Sequence, residues 1–220
     1  DFLIQKKIKE VVIGMQDSFR LVNGGGLKKL KQAGIVVTVL SKTDPLYKKI
    51  QLLNQPFLKW ATTGLPYVTM KAAVSLDGKI ATATKQSQWI TSERARQDGR
   101  RERSMADAVL VGSGTVHDDD PELSPHGSFR GKQLLRIIID PTLSLPLSKK
   151  VFRDAHVFVA TTELAPKETK ILYEKKGIPV KSFGKKRVSI KQLLQYLGKQ
   201  EVQHIFIEGG AGVHGSFYDD

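Results

Sequence analysis

The alternation of short apolar runs with helical segments is the sequence feature that most constrains this fold. We predict strands at residues 67–74, 108–112, 135–140, 157–160, 178–181 and 205–208, and helices at residues 92–105 and 190–197. Strands that alternate with helices favour an α/β domain with a mainly parallel sheet.

The N-terminal part of the chain has the same pattern on a smaller scale. Residues 8–15 predict a buried strand, the glycine turn at residues 23–26 opens a helix, and residues 35–40 predict a second strand. This is a β-α-β unit. Residues 46–60 predict one helix that ends near the break TTGLP. We therefore place a domain boundary there, between residues 1–63 and residues 64–220.

The segment VQHIFIEGGAGVHGS, residues 202–216, places a glycine-rich turn between an apolar strand and a predicted helix. Gly210, Gly212 and Gly215 fit the pattern G-x-G-x-x-G. Glycines let backbone N–H groups approach a pyrophosphate, and the following helix directs its positive end to the same anion. A dinucleotide cofactor is our first hypothesis, and tight packing is the alternative.

The charge balance favours anionic partners, either nucleic acid or phosphorylated small molecules. The 220 residues include 35 Lys and Arg against 22 Asp and Glu, a formal net charge of +13. The basic residues occur in scattered pairs without interleaved aromatic residues. This pattern favours a solvated surface over a nucleic-acid groove.

Several functional classes are excluded by residue types that the chain lacks. It has no cysteine, which excludes disulfides, thiolate catalysis and Cys-ligated zinc. The five histidines form no H-E-x-x-H pair, so we predict no metal. No apolar run has the length of a membrane span and no signal peptide precedes the first strand, so we expect a cytoplasmic chain without a membrane partner. The start at Asp1 without methionine and the stop soon after the glycine motif predict a fragment of a longer protein.

Two further clusters carry possible chemistry. In KAAVSLDGKI, Lys71 lies among apolar residues, and a buried lysine is costly unless it is paired or used. The alternative for this segment is a plain hairpin turn at Asp77-Gly78. In VLVGSGTVHDDDP, Gly112 and Gly114 permit close approach of a ligand to the backbone. We expect the three adjacent aspartates there to cap or to be solvated, because consecutive residues converge poorly on one metal ion.

These motifs together resemble a known family. From Pro66 onward, PYVTMKAAVSLDGKIA, SQWITS, ADAVLVGSGTVHDDDP, RIIID and IEGGAGVHGS are similar to the reductase domain of the RibD family. That family joins a pyrimidine deaminase to a pyrimidine reductase in riboflavin biosynthesis. The earlier segments VVIGMQD, NGGGLKKLKQAGI and LLNQPFLKWATTG resemble the end of the same family's deaminase domain, which is cytidine-deaminase-like, and the connection into the reductase.

The resemblance implies a dihydrofolate-reductase-like fold and NADPH as cofactor. It implies reduction of the ribosyl group of 5-amino-6-(5-phosphoribosylamino)uracil, a phosphorylated pyrimidine, by a homo-oligomer. We expect no nucleic-acid partner, because the basic pairs are dispersed. The implied cofactor residues are Ala73, Trp89, Thr115, Asp119, Gly210, Ala211, Gly212, Val213, His214, Gly215 and Ser216. The implied substrate residues are Ser87, Arg103, Leu123 and Glu208. Arg103 is the expected phosphate clamp, because a guanidinium offers a planar fork of donors.

The chain departs from the family pattern at two positions. His126 stands where the family often has an arginine for the substrate phosphate, and Pro141 stands where it often has a serine near the cofactor. Proline removes a side-chain donor and a backbone N–H. Zinc deaminases need an H-x-E element and a pair of cysteines, which this chain lacks. We therefore expect zinc and deamination only in the deaminase part of a longer parent.

For the reaction, we hypothesise that the ribosylamine ring opens to an imine and that the nicotinamide delivers hydride to the sugar C1′. Lys71 and Asp77 are the candidates for polarising or protonating the sugar. Two alternatives stay open. One is another NADPH-dependent reductase of the dihydrofolate-reductase-like group, and the other is a non-enzymatic module that binds anions or nucleic acid.

Overall fold

The computed structural model describes residues 1–19, 22, 24–84, 86–125, 133–154 and 156–219. Asn23 of the predicted glycine turn and His126 lie outside the described residues. The chain divides into two compact units, Asp1–Tyr67 and Val68–Asp220.

The described residues of the first unit form a small parallel sheet and four helices. Its elements are α1 (Phe2–Gln5), β1 (Glu10–Ile13), α2 (Gly25–Gln32), β2 (Val36–Val39), α3 (Pro45–Leu53) and α4 (Gln55–Thr63). β1 pairs with β2 in parallel, from Glu10 opposite Val36 to Ile13 opposite Val39. The predicted β-α-β unit is therefore confirmed.

The prediction that the first strand is buried is wrong. β1 alternates exposed and half-buried residues, and Val12 is 63% exposed. Its neighbour strand β2 has Val36 at 60% exposure. Within the described residues this sheet has only two strands, so part of each strand stays open to solvent.

The single helix predicted for residues 46–60 is two helices that meet at Asn54. The side chain of Asn54 donates a hydrogen bond to the carbonyl oxygen of Ile50 at 2.8 Å, at the end of α3. Pro56 lies in the first turn of α4. Proline has no N–H for a continuous helix but is tolerated in a first turn, which explains the break.

The second unit is built on a six-stranded sheet with the order β3-β8-β4-β5-β6-β7. Its strands are β3 (Tyr67–Met70), β4 (Ala108–Gly112), β5 (Leu135–Ile139), β6 (Val157–Thr161), β7 (Val180–Ser182) and β8 (His204–Ile207). Its helices are α5 (Glu93–Met105), α6 (Ser113–Asp119), α7 (Lys167–Lys175), α8 (Ile190–Lys199) and α9 (Ala211–Asp219), with a short 3-10 helix at Lys150–Phe152. β4 pairs in parallel with β5 and β8, and β5 and β7 each pair in parallel with β6. The predicted mainly parallel sheet is confirmed.

Helices cover both faces of this sheet, which explains its apolar central strands. All five residues of β4 are buried. Because side chains alternate along a strand, Val109 and Val111 pack in one cluster with residues of α6 and α7, while Ala108 and Leu110 pack in another with residues of α8 and α9. Strands that are buried on both faces are expected to be continuously apolar.

Three helices, α1, α6 and α7, have no counterpart in the sequence prediction, and β3 is shorter than predicted. The glycines after β4 predict a turn, but the segment forms the seven-residue helix α6. Parallel strands need long crossover connections, commonly helical, and this topological requirement is met by α7 between β6 and β7.

The strand order positions the site of the second unit. β4 leads along the chain to β5 on one side, while β8, the last strand, lies on its other side. The carboxyl ends of parallel strands meet at one edge of the sheet, and ligands of open α/β sheets bind in the crevice where the strand order reverses. The segments that follow β4 and β8 are therefore the place to look for a site.

Candidate active site

A cleft of about 750 Å³ lies where β3, β4 and β8 end. Many of the residues predicted from the sequence line it. They are the catalytic candidate Lys71, the cofactor candidates Ala73, Trp89, Thr115, Asp119, Gly210, Ala211 and His214, and the substrate candidates Ser87 and Glu208. Residues from separate parts of the chain are thus brought to one place by the topology of the sheet.

A second cavity of about 340 Å³ adjoins the cleft. The two share Gly114, Thr115 and Gly210 in their linings. Three more cofactor candidates line the second cavity, namely Gly212, Val213 and Ser216. Gly215 lies in α9 and lines neither cavity. The shared lining makes one continuous groove at the carboxyl edge of the sheet.

Four predicted residues, Asp77, Leu123, Gly215 and Arg103, line neither cavity. Asp77 lies in an exposed turn, where it accepts a hydrogen bond from Ser75 at 2.5 Å and forms an ion pair with Lys79 at 2.7 Å. The hydrogen bond from Lys79, and then that from Ser75, lower the pKa of the Asp77 carboxyl. Leu123 is only 5% exposed and packs in the core cluster that contains Val109.

Arg103 lies beside the cleft and does not line it. Arg103 as a whole is 7% exposed, and its Nε atom lies 3.3 Å from Oε1 of Glu208. The two charges are close enough for an ion pair, but neither atom has a hydrogen-bond partner among the described residues, because the N–H does not point at the oxygen. The structure thus places Arg103 behind Glu208, which itself lines the cleft.

Buried polar atoms without partners are concentrated around this cleft. Of the five such side-chain atoms in the described part of the chain, three belong to lining residues, Arg96, Glu208 and His214, and a fourth is Nε of Arg103. Buried polar groups in proteins are nearly always hydrogen-bonded, so a cluster of exceptions needs an explanation. Arg103 and Glu208 face each other as an ion pair, and a polar ligand in the cleft would supply partners for Arg96 and His214.

Arg96 is a lining residue that the sequence analysis missed. Its guanidinium lies 4.3 Å from the ring centroid of Trp89, and its Nη1 donates to the carbonyl oxygen of Thr91 at 2.5 Å. The stacking is a cation–π contact that orients both side chains. Arg96 precedes Arg103 by two helical turns, so the two residues lie on the same face of α5. This spacing is the sequence feature from which Arg96 could have been predicted.

Lys71 is held by its backbone, and its side chain passes close to α5. Its N–H donates to the carbonyl oxygen of Ile207 at 3.0 Å, which ties the end of β3 to the end of β8. A Cβ atom on Gly99 would lie 3.7 Å from Cε of Lys71, so the lysine stem passes close to α5. Burial, and then the positive charge of Lys71, lower the pKa of His214. The lysine charge therefore acts inside the cleft.

The glycines of the site fall into two groups. A Cβ atom on Gly209 or Gly112 would lie 2.6 or 2.7 Å from side-chain atoms of Val213, so these two glycines serve close packing of α9. A Cβ atom on Gly114 or Gly212 would meet nothing within 4 Å. At these open positions the backbone faces the groove without an intervening side chain.

The groove has the features of a site for an elongated anionic ligand such as a dinucleotide. The open glycines lie in the region shared by the two cavities or next to it, and α9 begins there with N–H groups that its own carbonyls do not pair. On one side of these glycines, the cleft is lined by charged groups. On the other side, the second cavity is lined by the apolar side chains of Ile139, Val188 and Ile190.

The described residues contain no group of three or more His, Cys, Asp or Glu side chains arranged to hold a metal ion. In the same part of the chain, no helix has both the length and the apolar character that crossing a membrane requires.

Comparison with known proteins identifies the family. Residues 66–220 match the family model of the RibD C-terminal domain. The chain belongs to this family. The resemblance to the RibD family that the motifs predicted is therefore confirmed. The riboflavin biosynthesis protein RibD of Bacillus amyloliquefaciens is 39% identical over 219 residues, which are 99% of this chain and 58% of that protein. The RibD protein of Aquifex aeolicus is 38% identical over 99% of this chain and 59% of its own length.

Solved RibD structures show the same fold. Acinetobacter baumannii RibD has a TM-score of 0.84 at 33% identity, over 99% of this chain and 59% of that one. The Thermotoga maritima diaminohydroxyphosphoribosylaminopyrimidine deaminase/5-amino-6-(5-phosphoribosylamino)uracil reductase has a TM-score of 0.80 at 29% identity, over 100% of this chain and 59% of that one. The predicted fold class is confirmed, and neither alternative function is favoured by these RibD matches. The chain spans under two thirds of these relatives.

Proposed function

We propose that this chain is an NADPH-dependent reductase of riboflavin biosynthesis. Its proposed reaction converts 5-amino-6-(5-phosphoribosylamino)uracil to 5-amino-6-(5-phosphoribitylamino)uracil. The observation that carries the proposal is the continuous groove, with its unpaired polar atoms and open glycines, in a RibD C-terminal domain. The name of the Thermotoga maritima neighbour, which includes this reductase activity, supports the choice of substrate.

The proposed cofactor site is the glycine edge that the two cavities share. Backbone N–H groups near Gly114, Gly210 and Gly212 would hold the pyrophosphate of a pyridine nucleotide. A Cβ atom would meet nothing within 4 Å at Gly114 or Gly212, and at Gly210 it would lie 3.9 Å from Oγ1 of Thr115. Trp89 and Thr115 would position the nicotinamide half in the cleft. When bound, the reduced nicotinamide supplies a hydride.

The proposed substrate site is the charged part of the cleft. Lys71 and Arg96 line it as cations and suit a phosphorylated sugar, while Ser87 and Glu208 offer polar groups for its hydroxyls. Arg103, placed behind Glu208, would hold that carboxylate in position. The predicted role of Arg103 as a phosphate clamp stays a prediction, as does the role of Leu123.

In the proposed reaction, the bond from C1′ to the ring oxygen breaks while the proton of the C1′-linked nitrogen passes to that oxygen, which gives an imine and a hydroxyl group. C1′ then gains a hydride, and the imine nitrogen gains a proton. Lys71 is the group in the cleft best suited to supply that proton or to polarise the sugar, because its ammonium lies among polar lining residues. Asp77, the other predicted candidate, lies in an exposed turn paired to Lys79.

The chain spans 58% of the length of the Bacillus amyloliquefaciens relative. We propose that residues 1–63 are the end of a deaminase domain, that a parent containing zinc deaminates the preceding pyrimidine, and that the enzyme is a cytoplasmic homo-oligomer. A nucleic-acid partner is not expected, because the basic residues are dispersed.

The experiment that tests the proposal measures the loss of NADPH absorbance after the chain is mixed with 5-amino-6-(5-phosphoribosylamino)uracil, freshly prepared by deamination of its precursor. Oxidation of NADPH, with ribitylamino product found by mass spectrometry, is the expected result. No oxidation by this chain or by a full-length parent would overturn the proposed function. Oxidation by the parent alone would restrict the activity to the longer protein.

A further inference from the structure

The second cavity contains one cation that no part of the proposed reaction uses. Arg187 follows β7 and lines this cavity together with Val188 and Ile190. It is the only charged residue among the described residues of the lining. In the same part of the chain, no acidic side chain forms an ion pair with it. Its positive charge is therefore available to a ligand in the cavity.

The loop that carries Arg187 is fixed by backbone hydrogen bonds. The N–H of Ser189 donates to the carbonyl oxygen of Phe183 at 2.6 Å, and the N–H of Glu163 donates to that of Gly184 at 3.0 Å. Gly184 has φ +116°, and a Cβ atom there would collide with the carbonyl oxygen of Arg187. A glycine at 184 is thus required for the loop to fold back and present Arg187 at the cavity.

The rest of the lining defines what chemistry the cavity accepts. Ile139, Pro141, Val188, Ile190 and Val213 give it apolar walls, and the shared glycine edge joins it to the cleft. Apolar walls of this kind suit a flat heterocycle such as adenine. Pro141 at the end of β5 offers neither a side-chain donor nor an N–H, so it cannot bind an anion there.

We infer that Arg187 recognises the phosphate on the 2′ oxygen of the adenosine ribose and so makes the chain selective for NADPH over NADH. This inference rests on the proposed function. If the nicotinamide lies in the cleft and the pyrophosphate at the shared glycines, the adenosine half falls in the second cavity. A guanidinium is the side chain best matched to a phosphate, because it presents paired donors in a plane.

The test compares two fragments of the cofactor, so that it needs no catalysis. Binding of adenosine 2′,5′-bisphosphate and of adenosine 5′-monophosphate to the chain is measured by calorimetry. Replacement Arg187→Ala should weaken binding of the bisphosphate about 10- to 100-fold, as expected for loss of a charged hydrogen bond, and change binding of the monophosphate little. The ratio of kcat/KM for NADPH to that for NADH should fall by a similar factor. Arg187→Lys should lie between.

The neighbouring cation Lys186 provides the matched control. Both residues are exposed, but only Arg187 lines the cavity. Replacement Lys186→Ala should change binding of the bisphosphate less than about threefold, because only a screened surface charge is lost. Equal effects of the two variants, or equal weakening of both fragments by Arg187→Ala, would overturn the inference.

Failure of the inference and failure of the proposed function give different results. A chain that oxidises NADPH and still prefers it after Arg187→Ala retains the function and refutes the role of Arg187. If neither this chain nor a full-length parent binds NADPH or the bisphosphate, the proposed function is refuted, and the inference falls with it.

Discussion

Breaking the pair of Arg103 and Glu208 should strongly destabilise the second unit. The Nε and Oε1 atoms lie 3.3 Å apart, and the side chains are 9% and 20% exposed. At an effective dielectric constant of about 20, two unit charges at this separation attract by about 5 kcal/mol, most of which offsets their desolvation. Removing one partner leaves the other charge buried without compensation. We expect Arg103→Met to lower the free energy of unfolding by about 3 kcal/mol, the low end for buried pairs.

A double-mutant cycle isolates the interaction between these two residues. Glu208→Gln alone should also cost about 3 kcal/mol, because it leaves the guanidinium unpaired. The double variant should cost less than either single variant, far short of the roughly 6 kcal/mol expected from independent effects, because no charge is then left unpaired. The assay is guanidinium denaturation followed by circular dichroism, with the slope compared between variants.

The neighbouring pair of Arg101 and Glu102 is the control on the same helix. Their charged atoms lie 3.7 Å apart, and the side chains are 68% and 41% exposed. Arg101→Met should therefore change stability by less than about 0.5 kcal/mol. Additive costs in the Arg103 and Glu208 cycle, with a coupling below about 0.5 kcal/mol, would refute the argument that the buried charges stabilise each other.

Three further predictions concern the site and its loop. Lys71→Met should lower turnover far more than NADPH affinity, and unchanged turnover would remove the lysine from the mechanism; Asp77→Asn in the same assay tests the other candidate. The pKa of His214 in the folded chain is lower than the ordinary histidine value of 6.5. As the pH decreases, the unfolded chain therefore binds a proton at this histidine before the folded chain does, and the stability of the fold should decrease through pH 6.5. His214→Asn should reduce that slope in unfolding measurements between roughly pH 8 and pH 5, and an unchanged slope would contradict the assigned cause. Gly184→Ala should cost about 2 kcal/mol because of its positive φ, and should reduce the preference for NADPH in kinetic assays; wild-type stability and preference would contradict the loop argument.

Much of the second unit could be predicted from the sequence because its central strands are apolar runs of the right length. The run Ala108–Gly112 matches β4 without correction, since a strand buried on both faces has no polar interruption. The glycine motif after β8 likewise predicted a helix, which is α9. These signals are local, so a single sequence contains them.

The rest depends on tertiary structure. Exposure of Val12 in β1 depends on what covers a two-stranded sheet, and no local pattern determines that. Arg187 lines the second cavity because the segment after β7 lies at the same sheet edge as the segments after β4 and β8. Arg96 had a usable signal, its helical spacing to Arg103, whereas Arg187 had none in the neighbouring sequence.

The contact of Val213 with two glycines links a nearby position, Gly209, to Gly112, which is far away along the chain. Gly112 ends β4 and Gly209 follows β8, and each lacks the space for a methyl group because Val213 occupies it. The three side chains therefore occupy one limited volume, and a larger residue at one position must be matched by a smaller residue at another. In related chains, alanine at position 112 or 209 should occur together with a residue smaller than valine at position 213.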